Sequence, residues 1–217
     1  MELIDLSHSI EHGMITYKGL PAPLICDYLS REDSKKNYAP GTEFQIGKIE
    51  IVANTGTYLD CPFHRYAEGN DLSQIHLEKL AELSGVLIDA ENSQVIGKEF
   101  FEGRDLFEKA VLVHTGWSKH WRTDTYFENH PFLTEEAAHY LVDQKVKLMG
   151  IDSHNIDDTR TNTRPVHSTL LRNEILIVEH MTNLPLLKGK DFVFNAVPPK
   201  FVGVGTFPVR AFAKVIN

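Results

Sequence analysis

Residues 54–64, NTGTYLDCPFH, place an acid and an imidazole, Asp60 and His64, four positions apart with Pro62 stiffening the backbone between them. An aspartate and a histidine held at that spacing can serve as a metal ligand and a general base. Gly56 suits a tight turn, because it takes positive φ without strain. The segment follows the apolar run 49–53 (IEIVA), which reads as a buried strand. It is therefore expected to emerge at a strand end, where α/β proteins place their sites. The alternative is a loop aspartate that only caps backbone amides.

A second cluster adds to the first. His167 lies in 166–171 (VHSTLL), just ahead of the apolar run 175–179 (ILIVE), which ends in Glu179 and is followed by His180. A carboxylate closing an apolar strand is costly to bury without a partner, and a cation or the His167 ring would supply one. Asp152, at the end of 146–152 (VKLMGID), is a third acid in such a position. Three acids at strand ends with several histidines suit a metal site; an internal hydrogen-bond network is the competing account. Among the other histidines, His154 follows Asp152 on a loop and is within possible reach of the site. His114 is a pocket or packing residue, and His180 a structural one. His76, His120, His130 and His139 read as surface or helix positions. Trp117 and Phe63 are candidates for stacking on an aromatic substrate, or for the core. Cys61 reads as a small packed side chain.

These residues need a scaffold of strands. Short apolar, β-branched runs recur at 3–6, 49–53, 86–89, 111–115, 146–152, 175–179, 192–197 and 209–216. Most are apolar on both faces, as strands inside a covered sheet are. Helical patterns lie between some of them. Ile75, Leu77, Leu80 and Leu83 share a face over 74–83. Thr134 is an N-cap followed by Glu135 and Glu136 in the first turn. Alternating strands and helices predict an α/β fold. Two polar stretches, 18–43 and 153–166, read as long loops, and nothing resembling a linker divides residues 1–217.

Composition excludes other classes. A formal net charge of −8 disfavours nucleic-acid binding. No stretch approaches the roughly 20 apolar residues of a membrane span. Two cysteines, Cys26 and Cys61, make no disulfide framework, and the start of the chain has no signal-peptide pattern. A cytoplasmic protein is expected.

Taken together, the chain resembles the cyclase family of bacterial hydrolases, which includes kynurenine formamidase and isatin hydrolase. That family carries H-x-G-T-H-x-D-x-P-x-H, matched by residues 54–64 except that Asn54 and Tyr58 stand at the two N-terminal histidines. Matches continue in order at 4–8 (IDLSH), 115–117 (TGW), 150–152 (GID), His167 with Glu179, 182–184 (TNL) and 208–210 (PVR). The resemblance implies a swivelling β/β/α fold with a mixed sheet or barrel core and flanking helices. It also implies a homodimer or homotetramer, and metal-dependent hydrolysis of a small amide, with an aromatic amide as the candidate, as in tryptophan catabolism. Carried over by position, Asp60, His167 and Glu179 would ligate one metal, and His64 would move the proton. Tyr17, Asn54, Tyr58, Phe63, Asp152 and His154 are the substrate-pocket candidates. An amide oxygen at Asn54 and a protonated phenol at Tyr58 are poor ligands, so a first metal site is not expected. The cofactor expectation is thus one zinc or manganese ion, or none. Two other readings stay open: a non-catalytic small-molecule-binding protein, and a metal-independent lyase or isomerase using Tyr58 and His64.

Overall fold

A computed structural model describes residues 2–216. The strands are β1 (Glu2–Asp5), β2 (Leu24–Leu29), β3 (Ile46–Glu50), β4 (Tyr58–Asp60), β5 (Leu83–Asp89), β6 (Val95–Ile96), β7 (Ala110–His114), β8 (Phe132–Leu133), β9 (Leu148–Ile151), β10 (Leu176–Glu179), β11 (Asp191–Asn195), β12 (Thr206–Pro208) and β13 (Phe212–Ile216). The helices are α1 (Arg31–Asn37), α2 (Glu135–Asp143) and α3 (Pro165–Arg172). Nine strands form one sheet in the order β1-β13-β11-β5-β7-β9-β10-β4-β12. Its centre, β5-β7-β9-β10, is parallel; the flanking pairs are antiparallel.

Alternation along the strands explains the two cores. Val111 and Val113 of β7 point to one face with Ile177 of β10, where Ala137, Ala138 and Leu141 of α2 and Leu170 and Leu171 of α3 cover them. Leu112, Leu176 and Val178 point to the other face, against Leu59, Phe192 and Phe194. Burial of these side chains from water is the main force holding helices to sheet. The Thr134 hydroxyl caps α2 by accepting from the Ala137 amide at 3.1 Å, as the sequence predicts.

Several local expectations are corrected. The strand before the motif is β3, which ends at Glu50 and is exposed throughout, paired only with β2. Residues 18–43 are not a loop: they contain β2 and α1. The helical spacing over 74–83 yields only a single short turn at Leu77–Lys79. Glu82 takes φ 53°, and its amide donates to Asn195 Oδ1 at 3.0 Å, which breaks the pattern and launches β5. His130, expected at the surface, is buried.

Gly205 marks where two backbones nearly touch. A Cβ there would overlap the backbone nitrogen and Cα of His64 and the carbonyl carbon of Phe63. Gly205→Ala should therefore lower stability by about 1–3 kcal/mol, the usual range for overpacking, and displace His64. A urea titration checks the first effect. An unchanged midpoint would show that the loop yields freely.

Candidate active site

Register brings the site together. Strand β4 lies between β10 and β12, with Asp60 opposite Ile177 and Thr206, and Tyr58 opposite Glu179 and Pro208. Directly opposed residues share a face. Tyr58, Asp60 and Glu179 therefore share the helix-covered side with Ile177, and α3 delivers His167 onto it. His64 follows on the short turn Pro62–His64.

Three donor atoms converge. His167 Nε2 lies 3.6 Å from Asp60 Oδ2 and 3.7 Å from Glu179 Oε1. Asp60, His64 and His167 also form a group with ligand atoms spaced to hold an ion. Asp60 Oδ2 is buried and has no hydrogen-bond partner, an expensive state for a carboxylate oxygen. A divalent ion with bonds of about 2.0–2.2 Å draws its donors to within about 3–3.6 Å of one another. The donor set, two carboxylates and an imidazole, suits such an ion, and the residues fit it.

Two residues not singled out in the sequence hold these groups in place. Asp157 accepts from the backbone amides of Val166 and His167 at 2.8 and 2.9 Å, and from His167 Nδ1 at 2.6 Å. It thereby caps α3 and turns Nε2 toward Asp60 and Glu179, the usual support for a metal-binding histidine. Thr206 donates its hydroxyl to Asp60 Oδ1 and lies 2.8 Å from His64 Nδ1. With that proton given to Asp60, the contact needs an Nδ1–H on His64. Nε2 of His64 is then left free to accept a proton.

Electrostatics favour a cation at this point. Burial lowers the His167 pKa, but Glu179, Asp157 and Asp60 together raise it to about 10. Burial raises the Glu179 carboxyl to about 7, although His167 and the Tyr58 hydroxyl pull the other way. Tyr58 is fully buried. Desolvation and the nearby acids hold its phenol well above its ordinary range, so it remains a neutral donor, 2.5 Å from Glu179 Oε2.

The site opens into a cavity of about 360 Å³ lined by Tyr17, Asn54, Tyr58, Asp60, His64, His167 and Glu179, among others. The remaining pocket candidates lie outside its lining. Asp152 accepts from the amides of Thr115 and Gly116 at 2.7 and 3.0 Å, a capping role. Phe63 packs against the hydrophobic core. His154 stands behind Tyr17, with ring centroids 4.7 Å apart, in a buried aromatic group with Tyr126, His130 and His180. His114 pairs with Asp89 at 2.8 Å, away from the cavity.

The curled mixed sheet with helices on one face, and an acid–imidazole cluster where β4 meets β10, define a cyclase-type α/β protein. The chain belongs to the cyclase family: the family model described as a putative cyclase matches residues 4–158. It is 31% identical over 177 residues to the kynurenine formamidase of Geobacillus thermodenitrificans (strain NG80-2), covering 81% of this chain and 82% of that one. A predicted metal-dependent hydrolase from Bacillus stearothermophilus superposes with a TM-score of 0.74 at 25% identity, covering 98% and 97% of the two chains. Isatin hydrolase A from Ralstonia solanacearum shares the fold, with a TM-score of 0.80 at 21% identity over 98% and 91%.

Proposed function

We propose that the chain is a hydrolase of a linear or cyclic amide, similar to the formamidases, working with one zinc or manganese ion held by Asp60, His167 and Glu179. The observation that carries this reading is the buried, partnerless Asp60 Oδ2, 3.6 Å from His167 Nε2, which itself lies 3.7 Å from Glu179 Oε1. When bound, such an ion polarises the carbonyl and lowers the pKa of water.

The chain's own residues supply the rest. His64, one-third exposed, takes a proton at Nε2 and returns one to the departing amine. Thr206 keeps its other nitrogen protonated. Asp157 holds the orientation of His167, and Tyr17 forms part of the wall against which an aromatic group would lie. Tyr58 holds Glu179 through one oxygen, and with its phenol kept neutral it is poorly suited to the acid–base role of a metal-free enzyme. The homodimer or homotetramer implied by resemblance is supported by β2 and β3, whose Leu24, Ile25, Ile46 and Ile49 are exposed, Ile25 and Ile49 lining a groove with Phe201.

His64→Ala is expected to lower kcat on an aryl formamide by about 10²–10⁴-fold while leaving metal content unchanged. Elemental analysis alongside steady-state kinetics tests both halves. Unchanged turnover would remove His64 from the mechanism. A chain that binds no metal even with excess zinc or manganese would remove the mechanism itself.

A further inference from the structure

The cavity is acidic at its floor and basic along its wall. Arg65, Arg164 and Lys18 line it together with Asp60 and Glu179. Lys18 is already engaged, 3.3 Å from Asp124 and 3.7 Å from Glu128. Neither arginine pairs with a carboxylate among the described residues. Arg164 is half-buried, and its Nη1 donates to the carbonyls of Thr161 and Thr163 at 2.8 and 2.7 Å. Nη1 also lies 3.5 Å from the Asp158 carbonyl, and Tyr17 shares the cavity lining with Arg164. The nearby acid, Asp158, is taken by both Nε and Nη2 of Arg160, at 2.9 and 2.8 Å. Arg65, exposed at the rim, donates Nε to Ser168 Oγ at 3.1 Å.

Both guanidiniums are thus braced by neutral oxygens and keep their charge. Elsewhere on the chain, cations such as Lys79 and Lys188 have an acid within reach, as expected at a net charge of −8. A neutral amide substrate would leave the two uncompensated. We propose that the substrate carries a carboxylate, separate from the amide to be cut, which Arg164 binds and Arg65 reinforces. The proposal rests on the hydrolase reading of the same cavity and adds to it the charge of the substrate. A guanidinium fork matches a planar carboxylate in geometry and is always charged. The cavity volume of about 360 Å³ accommodates a one-ring amide bearing such a group.

Anthranilate and aniline share a ring and an amine and differ by the carboxylate. Each would be titrated by calorimetry into the full chain, with zinc in the buffer, and into Arg164→Gln and the double variant Arg65→Gln/Arg164→Gln. Anthranilate is expected to bind about tenfold or more tightly than aniline, as one charged hydrogen bond allows. That preference should shrink in Arg164→Gln and vanish in the double variant. Equal affinities in the parent would overturn the proposal. So would a preference undiminished in the double variant, since the carboxylate would then be held by another group, the metal included. Kinetics on N-formylanthranilate and formanilide separate this from the hydrolase reading. Cleavage of both at equal kcat/KM overturns the carboxylate site and keeps the hydrolase. Cleavage of neither, with the binding preference intact, supports the carboxylate site and removes the hydrolase.

Discussion

His167→Ala should empty the proposed metal site and destabilise the fold by about 3–5 kcal/mol, the range for stripping the partner from buried charge. Among the described residues His167 is the one imidazole within 4 Å of both Asp60 and Glu179, and it also carries the contact to Asp157. Alanine leaves the buried carboxylates of Asp60, Asp157 and Glu179 without the imidazole they share. His167, raised to about 10, stabilises the parent fully below about pH 6.5 and progressively less as pH rises toward that value, so the deficit should be larger at pH 5 than at pH 8. Metal per chain should fall from about one to near none. Denaturant titrations at both pH values, with elemental analysis, test it. A variant as stable as the parent at pH 5 would show that His167 is not balancing these acids.

Acid should unfold the parent earlier than its carboxylates alone would require. Burial holds His8 at about 4 and His154 at about 3, and burial with neighbouring imidazoles holds His180 well below its ordinary value. All three are neutral when folded and take up a proton on unfolding below about pH 6.5. Glu179, raised to about 7, has the opposite sign and offsets one of them. The unfolded chain therefore binds about two more protons, and stability should fall by about 3 kcal/mol per pH unit between pH 6 and 5. For a protein worth roughly 5–15 kcal/mol in total that is a large loss. Unfolding free energies at pH 7, 6 and 5 give the slope. A flat profile would mean that these rings are protonated within the fold.

Asp60, His64, His167 and Glu179 were legible because their side chains are few in kind and sit beside rigid or apolar segments. The parallel strands were legible as apolar runs, and α2 from its cap. Thr206 was not, since a threonine carries no chemical signal until β12 pairs with β4 and sets it against Asp60. Asp157 was one acid among several in a polar stretch, distinguished only by receiving the first amides of α3. Nothing in the sequence singles out Arg65 and Arg164; what sets them apart is the carboxylates they lack among the described residues. Asp152 shows the converse: an acid at a strand end that the fold uses to cap a neighbouring loop. The β2–β3 hairpin went unread because both its faces are exposed, which leaves no burial pattern to find.

The placement of β4 also fixes when the site can exist. Asp60 is enclosed between Ile177 and Thr206, partners 117 and 146 positions along the chain. During synthesis, all four proposed active-site side chains are made before the strand that completes their enclosure. Pairings so distant in sequence close slowly, because the loop entropy is lost before the contact forms. Until β12 arrives, β4 is an open edge with unmet backbone groups, the kind of surface that recruits other chains. A ribosome-bound chain ending before Thr206 would thus be at its most aggregation-prone with nearly all of its chemistry already present.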